Sequence, residues 1–377
     1  MTIKYFTYLL TFLLLSMADA RGQSQAVSSL KFLNEYEVPF NKPFKNTSIG
    51  GLSGIDYAAA NDVYYLISDD RSAINPARFY TAKISLTAKG IDSVEFVGMQ
   101  YFLQADGSTY PSSKTDPAHA PDPESIRYNP QTSQVIWTSE GERTKKQDHF
   151  ILQDPAIIIS NQSGKHQSNF PIASNLVMRQ DESGARQNGA LEGISFSTDY
   201  QFLYASMEEP LYDDGPRADV EKNNAVVRIC KYDAATKQQL VQYAYPLEPI
   251  AYPPSPTTGF KVNGISEILA LDKNKLLVVE RSFSWGRLAC TVKVFIANLV
   301  DASNVAEVKS LQGKSTVKLI QKKLLLNMDD LKIYIDNIEG ITFGPALPNG
   351  HRTLIFVSDN NFSAIEKTQF LLFEVIP

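Results

Sequence analysis

A short unit recurs five times along this chain, and no other feature restricts its fold as tightly. Each copy opens with a small or acidic residue and an apolar one. It then crosses a mixed segment containing a turn and finishes in an apolar strand that ends on an acid. The copies read LSGIDYAAANDVYYLISDD from Leu52, PESIRYNPQTSQVIWTSE from Pro123, LEGISFSTDYQFLYASMEE from Leu191, ISEILALDKNKLLVVER from Ile265 and IEGITFGPALPNGHRTLIFVSDN from Ile338. Their isoleucines Ile55, Ile126, Ile194, Ile268 and Ile341 fall roughly 70 residues apart, as blades with generous loops would. In the first three copies the isoleucine stands fourteen residues before Asp69, Glu140 and Glu208.

Turn residues divide every copy into two β-rich runs: Ala60-Asn61-Asp62, Asn129-Pro130, Ser197-Thr198-Asp199, Asp272-Lys273-Asn274 and Pro348-Asn349-Gly350. Each copy is therefore a hairpin. The second runs (VYYLI, QVIW, FLYA, LLVV, LIFV) are densely apolar, as strands covered on both faces are. Alternating segments such as ARFYTAKISL, AVVRICKYD, CTVKVFIANL and TQFLLFEVI supply outer strands. The expected fold is an all-β propeller of five four-stranded blades, with a sixth left open where the motif has decayed. The N-terminal segment SLKFLNEYEVPF has no partner in sequence and is expected beside Phe370 to Ile376, closing the ring. The competing architecture is a β-sandwich or a pair of β-domains, which a 70-residue period does not favour.

Ahead of the repeat, Lys4, the apolar run Tyr5 to Met17 and the small-x-small string Ala18-Asp19-Ala20 read as a signal peptide over residues 1–20. Residues 21–377 then form one exported domain, secreted or periplasmic, with no stable membrane insertion after processing. A retained anchor is the alternative, and the shortness of the apolar run argues against it. The net charge of −5, with no basic run, excludes a nucleic-acid partner. Cys230 and Cys290 lie in separate strands without a second cysteine or a histidine nearby, so buried thiols or one disulfide fit better than a metal site.

In a propeller the first strand of a blade lines the channel and the second runs back beside it, so its start and its partner's end share one mouth. Opposed positions of such a hairpin lie about 5 Å apart. Glu124 and Glu140, Glu192 and Glu208-Glu209, Glu267 and Glu280, and Glu339 and Asp359 are the opposed pairs; the first copy offers Ser53 with Asp69-Asp70. Carboxylates so crowded need a cation or basic side chains. Oxygen-rich clusters suit Ca²⁺, which takes six to eight oxygen ligands. Asn188, Asn263 and Asn337, just ahead of glutamates, are candidate neutral ligands, and Arg71, Arg143 and Arg281, just after the strand-two acids, bring fixed positive charge. Pure ion pairing is the alternative. No G-x-S-x-G elbow is present. His119, near Asp122 and Glu124, is a candidate general base or a solvated loop histidine.

These segments together resemble the phytase-like family described as "esterase-like activity of phytase". The carriers are GLSGIDY with SDDR, DPESIRYNP with TSEGE, NGALEGISFS with ASMEEPLYDDGP, NGISEIL with LLVVERSFSWG, and DNIEGITF with VSDNNFS. The resemblance runs from about Gly50 to the C-terminus and implies an extracytoplasmic propeller that hydrolyses esters or phosphoesters. Ser53 departs from the glutamates of the other copies, and no lysine cluster is present to clamp a multiply phosphorylated inositol. On this basis the expected ligands of a calcium ion are Asp122, Glu124, Asn188, Glu192, Glu267, Asn337 and Glu339. Glu140, Glu208 or His119 would take the proton from water, and Arg71, Arg143, Arg281 and Arg287 would hold a small anionic ester, phosphoester or lactone. A non-catalytic ligand- or protein-binding propeller is the second expectation.

Overall fold

The computed structural model describes residues 27–377; the expected signal peptide, residues 1–20, lies outside them. Five four-stranded antiparallel sheets form the blades of a propeller. Their innermost strands are Leu52–Ala58, Pro123–Asn129, Leu191–Phe196, Lys261–Ala270 and Asn337–Ala346. Each of these packs against the next around the ring, and the fifth against the first. The five sequence copies are thus the inner hairpins of blades 1 to 5, and the blade count is settled at five among the described residues.

The ring closes as expected. Ser29–Val38 pairs with Thr368–Ile376 from Ser29 opposite Ile376 to Val38 opposite Thr368, so the last blade takes its outer strand from the start of the chain. Apolar clusters fill the spaces between neighbouring blades, and the anchoring isoleucines Ile55, Ile126, Ile194, Ile268 and Ile341 are fully buried in them. Cys230 and Cys290 are free thiols, both buried. Among the described residues no helix is long and apolar enough to cross a membrane.

The residue before each isoleucine sits where inner strands approach most closely. It is Gly54, Ser125, Gly193, Glu267 and Gly340 in order. A Cβ on Gly193 would meet the Ile268 amide nitrogen at 2.7 Å, and one on Gly54 would meet that of Ile126 at 2.9 Å. At Gly54 and Gly193 a larger residue could not be seated without moving the neighbouring blade's backbone.

The channel does not run open through the ring. Arg127 donates to the carbonyls of Ile55 at 2.7 Å and Ile268 at 3.0 Å, and its Nη2 lies 2.9 Å from Glu267. Glu267 also accepts from Ser125 Oγ at 2.7 Å. This buried pair ties blades 1, 2 and 4 together beneath the mouth, so the acids stand over a closed floor.

Candidate functional site

Two tiers of side chains face the mouth, and the hairpin register explains both. The first tier lies two residues before each isoleucine: Ser53, Glu124, Glu192, Ser266 and Glu339. Every inner hairpin breaks register there, between Leu52 and Gly54, Pro123 and Ile126, Leu191 and Ile194, Ile265 and Glu267, and Ile338 and Gly340. Such a bulge re-aims a side chain, here into the mouth. Where the tier has serine, the hydroxyl donates to the next blade's backbone: Ser53 to Glu124 O at 2.6 Å and Ser266 to Ile338 O at 3.0 Å.

The second tier comes from the partner strands. Asp69, Glu140 and Glu208 donate their backbone N–H groups to Gly51, Asp122 and Ala190 at 2.6, 2.9 and 2.7 Å. Arg281 faces Gly264, and Asp359 faces Asn337, in the same relation. Blade 4 alone departs in both tiers, with Ser266 for a glutamate and Arg281 for an acid; blade 1 departs only in the first, with Ser53.

All members of the two tiers except Ser53, Ser266 and Asp359 line a cavity of about 890 Å³. Within it, carboxylate oxygens of Asp69, Asp122 and Glu124 all lie within 4.8 Å of one another, and so do those of Glu124, Glu140 and Glu192. Glu124 joins the two triads. Arg71 pairs with Asp122 at 3.4 Å and with Glu142. Arg281 lies 2.9 Å from Glu208 and 3.6 Å from Glu339, and donates to Asn337 Oδ1 at 2.5 Å. Asn337 in turn donates to Glu339 Oε1 at 2.9 Å, while the buried Glu339 Oε2 has no hydrogen-bond partner among the described residues.

Burial is the main force on these acids. It holds Asp69, Glu124, Glu140 and Glu192 well above the usual carboxylate range, and their mutual repulsion adds to the rise. Burial pushes Asp122 up to about 6 against the pull of Arg71, and Glu339 up to about 7 against that of Arg281. For Arg281, burial opposes the charge, but Glu339 and Glu208 outweigh it and raise its pKa.

This donor set fits a hard divalent cation. The two triads hold only oxygen ligands, from five buried or nearly buried carboxylates, and no arginine reaches Glu124 or Glu140 within ion-pair distance among the described residues. Asp69, which the sequence marked as a strand-two acid, belongs among the candidate ligands. Glu142, the second partner of Arg71, was not anticipated.

The structure brings Asp122, Glu124, Asn188, Glu192, Asn337 and Glu339 to one cavity with Glu140, Glu208, Arg71, Arg281 and Arg287. Three expected residues are placed elsewhere. Glu267 falls one residue past the bulge and lies in the floor with Arg127, because a one-residue offset on a strand reverses the direction of a side chain. Arg143 turns away from the cavity, donating to the carbonyls of Arg179 at 2.7 Å and Gln180 at 3.1 Å and lying over Phe150 and Tyr212. His119 is exposed and paired with Asp116 at 2.9 Å, outside the cavity. Asn263 and Glu280 also leave the mouth: they bond each other at 2.9 Å, and Lys322 pairs with Glu280.

No curated protein matches the sequence. Among solved structures the chain is similar to the α-L-arabinofuranosidase from Lactobacillus brevis, at 10% identity over 86% of this chain and 91% of that one, with a TM-score of 0.44. It is similar also to a GH43 β-1,3-galactosidase solved with galactodeoxynojirimycin, at 9% identity over 90% of this chain and 94% of that one, with a TM-score of 0.44. A putative 6-phosphogluconolactonase from Bacteroides uniformis aligns at 11% identity over 85% of this chain and 80% of that one, with a TM-score of 0.34. The model of the phytase-like family, described as esterase-like activity of phytase, matches residues 47–362. With its five blades and its acid-lined mouth, the chain belongs to the phytase-like family.

Proposed function

We propose that the protein is a calcium-dependent hydrolase of a small anionic ester or phosphoester, acting outside the cytoplasm. The observation that carries this reading is the pair of carboxylate triads joined at Glu124. Asp69, Asp122, Glu124, Glu140 and Glu192 would hold the ion, with Asn188 beside them as a neutral oxygen donor. A bound divalent ion supplies Lewis-acid polarisation of the ester and a water of lowered pKa.

The chain's own residues account for the rest. Glu208 lies outside both triads and beside them; burial raises its pKa, and Arg281 at 2.9 Å opposes that rise. It is positioned to take the proton as the water oxygen bonds to the carbonyl carbon or phosphorus and the ester bond to the leaving oxygen breaks. The proton then passes to the departing alcohol. Arg71 is engaged with Asp122 and Glu142 and orders a ligand, whereas Arg287 makes no ion pair among the described residues and can hold the substrate's negative charge. Export is supported by the N-terminal apolar run and suits a calcium site of modest affinity.

Purified protein should hydrolyse at least one of p-nitrophenyl esters, bis-p-nitrophenyl phosphate or lactones with Ca²⁺ present. Turnover should stop in EDTA and fall by about 10²- to 10⁴-fold in Glu208→Gln. Absence of turnover on every class with Ca²⁺ bound would reject the hydrolase and leave a ligand-binding propeller.

A further inference from the structure

The inner hairpin of blade 4 outgrows its counterparts. Past the mouth level at Gly264 and Arg281 it continues through Asn263 opposite Ser282, Val262 opposite Phe283 and Lys261 opposite Ser284. The other inner strands begin at Leu52, Pro123, Leu191 and Asn337, at or just below that level. Blade 4 therefore raises a wall beside the acids.

The wall is apolar and wet. Phe260, Trp285 and Leu288 keep 59%, 58% and 75% of their surface exposed, and Ile365, 76% exposed, faces the same cavity from the loop between the second and third strands of blade 5. The position of Trp285 is fixed rather than accidental. Its N–H donates to Phe260 O and its carbonyl accepts from Ser255 N, both at 2.8 Å, and a Cβ on Gly259 would strike the Trp285 Cβ at 2.9 Å. Four large apolar side chains grouped on one cavity lip mark a ligand surface. On the same wall stands Arg287, its guanidinium 3.7 Å from the centre of the Tyr252 ring, without an ion pair among the described residues. The cavity's other arginines, Arg71 and Arg281, are both held by acids. An apolar face with one uncommitted cation complements a molecule with an apolar body and a single anionic head.

We propose that this wall binds an anionic amphiphile, with its alkyl or aryl part against Phe260, Trp285, Leu288 and Ile365 and its head on Arg287. That this amphiphile is also the substrate rests on the hydrolase reading, since the bond joining head and tail would then lie toward the acids. Binding by the wall does not depend on that reading.

Calorimetric titration of the Ca²⁺-supplemented protein with inorganic phosphate, butyl phosphate and octyl phosphate, below micellar concentrations, tests it. Burial of methylenes predicts a gain of up to about fourfold per methylene, and so up to about 250-fold across the four methylenes that separate butyl from octyl phosphate. In a Leu288→Ser, Ile365→Ser double variant that gain should fall below about tenfold, with inorganic phosphate binding unchanged. Arg287→Gln should weaken all three ligands by a similar factor. Octyl phosphate binding no tighter than inorganic phosphate would overturn the proposal, as would an unchanged chain-length dependence in the double variant. A dimer that the double variant dissolves, without alkyl phosphate binding, would assign the wall to self-association instead. Phosphate release is followed in parallel: chain-length-dependent binding without release upholds the wall and rejects only the hydrolase.

Discussion

Arg281 holds in blade 4 the position that Glu208 holds in blade 3, and its Nη2 lies 2.9 Å from the Glu208 carboxylate. One blade thus supplies a built-in counter-ion to the acids of the others, which divides the mouth. The acids of blades 1 to 3 crowd together without enough positive charge, while Glu208 and Glu339 share one guanidinium.

Arg281→Met removes that guanidinium and leaves two buried carboxylates facing each other. In EDTA near pH 7.5 the variant should lose about 3 kcal/mol of stability by urea unfolding. The loss should shrink near pH 5, where Glu339, with a pKa of about 7, is protonated. A loss independent of pH would show that the guanidinium acts through packing alone.

The metal-free protein should be more stable in mild acid than at neutrality. Asp122 and Glu339 titrate at about 6 and about 7 in the folded state, above the usual carboxylate values of about 4 that the unfolded chain shows. Over that window the folded state holds more protons than the unfolded one, so stability falls as pH rises through 6 and 7. A calcium ion held by deprotonated Asp122 and the other triad acids should offset the Asp122 share of the fall and leave the Glu339 share. Thermal melts in EDTA and in Ca²⁺ across this range check both halves.

Arg127→Met leaves Glu267 buried without its partner and should cost about 3 kcal/mol or more. Glu267→Gln keeps a carbonyl for Ser125 Oγ and should cost less. Neither should change calcium affinity more than about twofold by titration calorimetry, since the pair is floor and not ligand. A tenfold loss in Glu267→Gln would return that residue to the metal site.

The contact between blades 3 and 4 gives a test of packing. A methyl on Gly193 meets the Ile268 nitrogen at 2.7 Å and the Glu267 Cα at 2.9 Å. Both are backbone positions, so Gly193→Ala should cost about 2 kcal/mol in urea unfolding. A neutral substitution would mean that the ring opens at this joint.

Most of the fold was legible because a repeated isoleucine and a repeated turn report the inner hairpin directly, and the lone strand at Ser29–Val38 needed a partner. The site was legible only as far as strand periodicity holds. In the fourth copy Ser266 and Glu267 stand side by side, and the glutamate drew the assignment. Counting back two residues from Ile268 selects Ser266, but the bulge that makes this count meaningful is a feature of pairing between strands. The same applies to Arg281, which follows Glu280 in sequence yet takes the place of an acid in the ring. Arg143 and the wall around Trp285 depend on which surfaces tertiary packing leaves open, and local sequence carries little record of that.

Calcium titration of the metal-stripped protein tests the central claim most directly. Wild type should take up Ca²⁺ with a measurable heat and a melting temperature raised by several degrees. Glu124→Gln, which cuts the carboxylate shared by both triads, should weaken that binding by at least about tenfold. No heat and no shift in melting temperature with Ca²⁺, or full affinity in Glu124→Gln, would contradict a metal centre at this mouth.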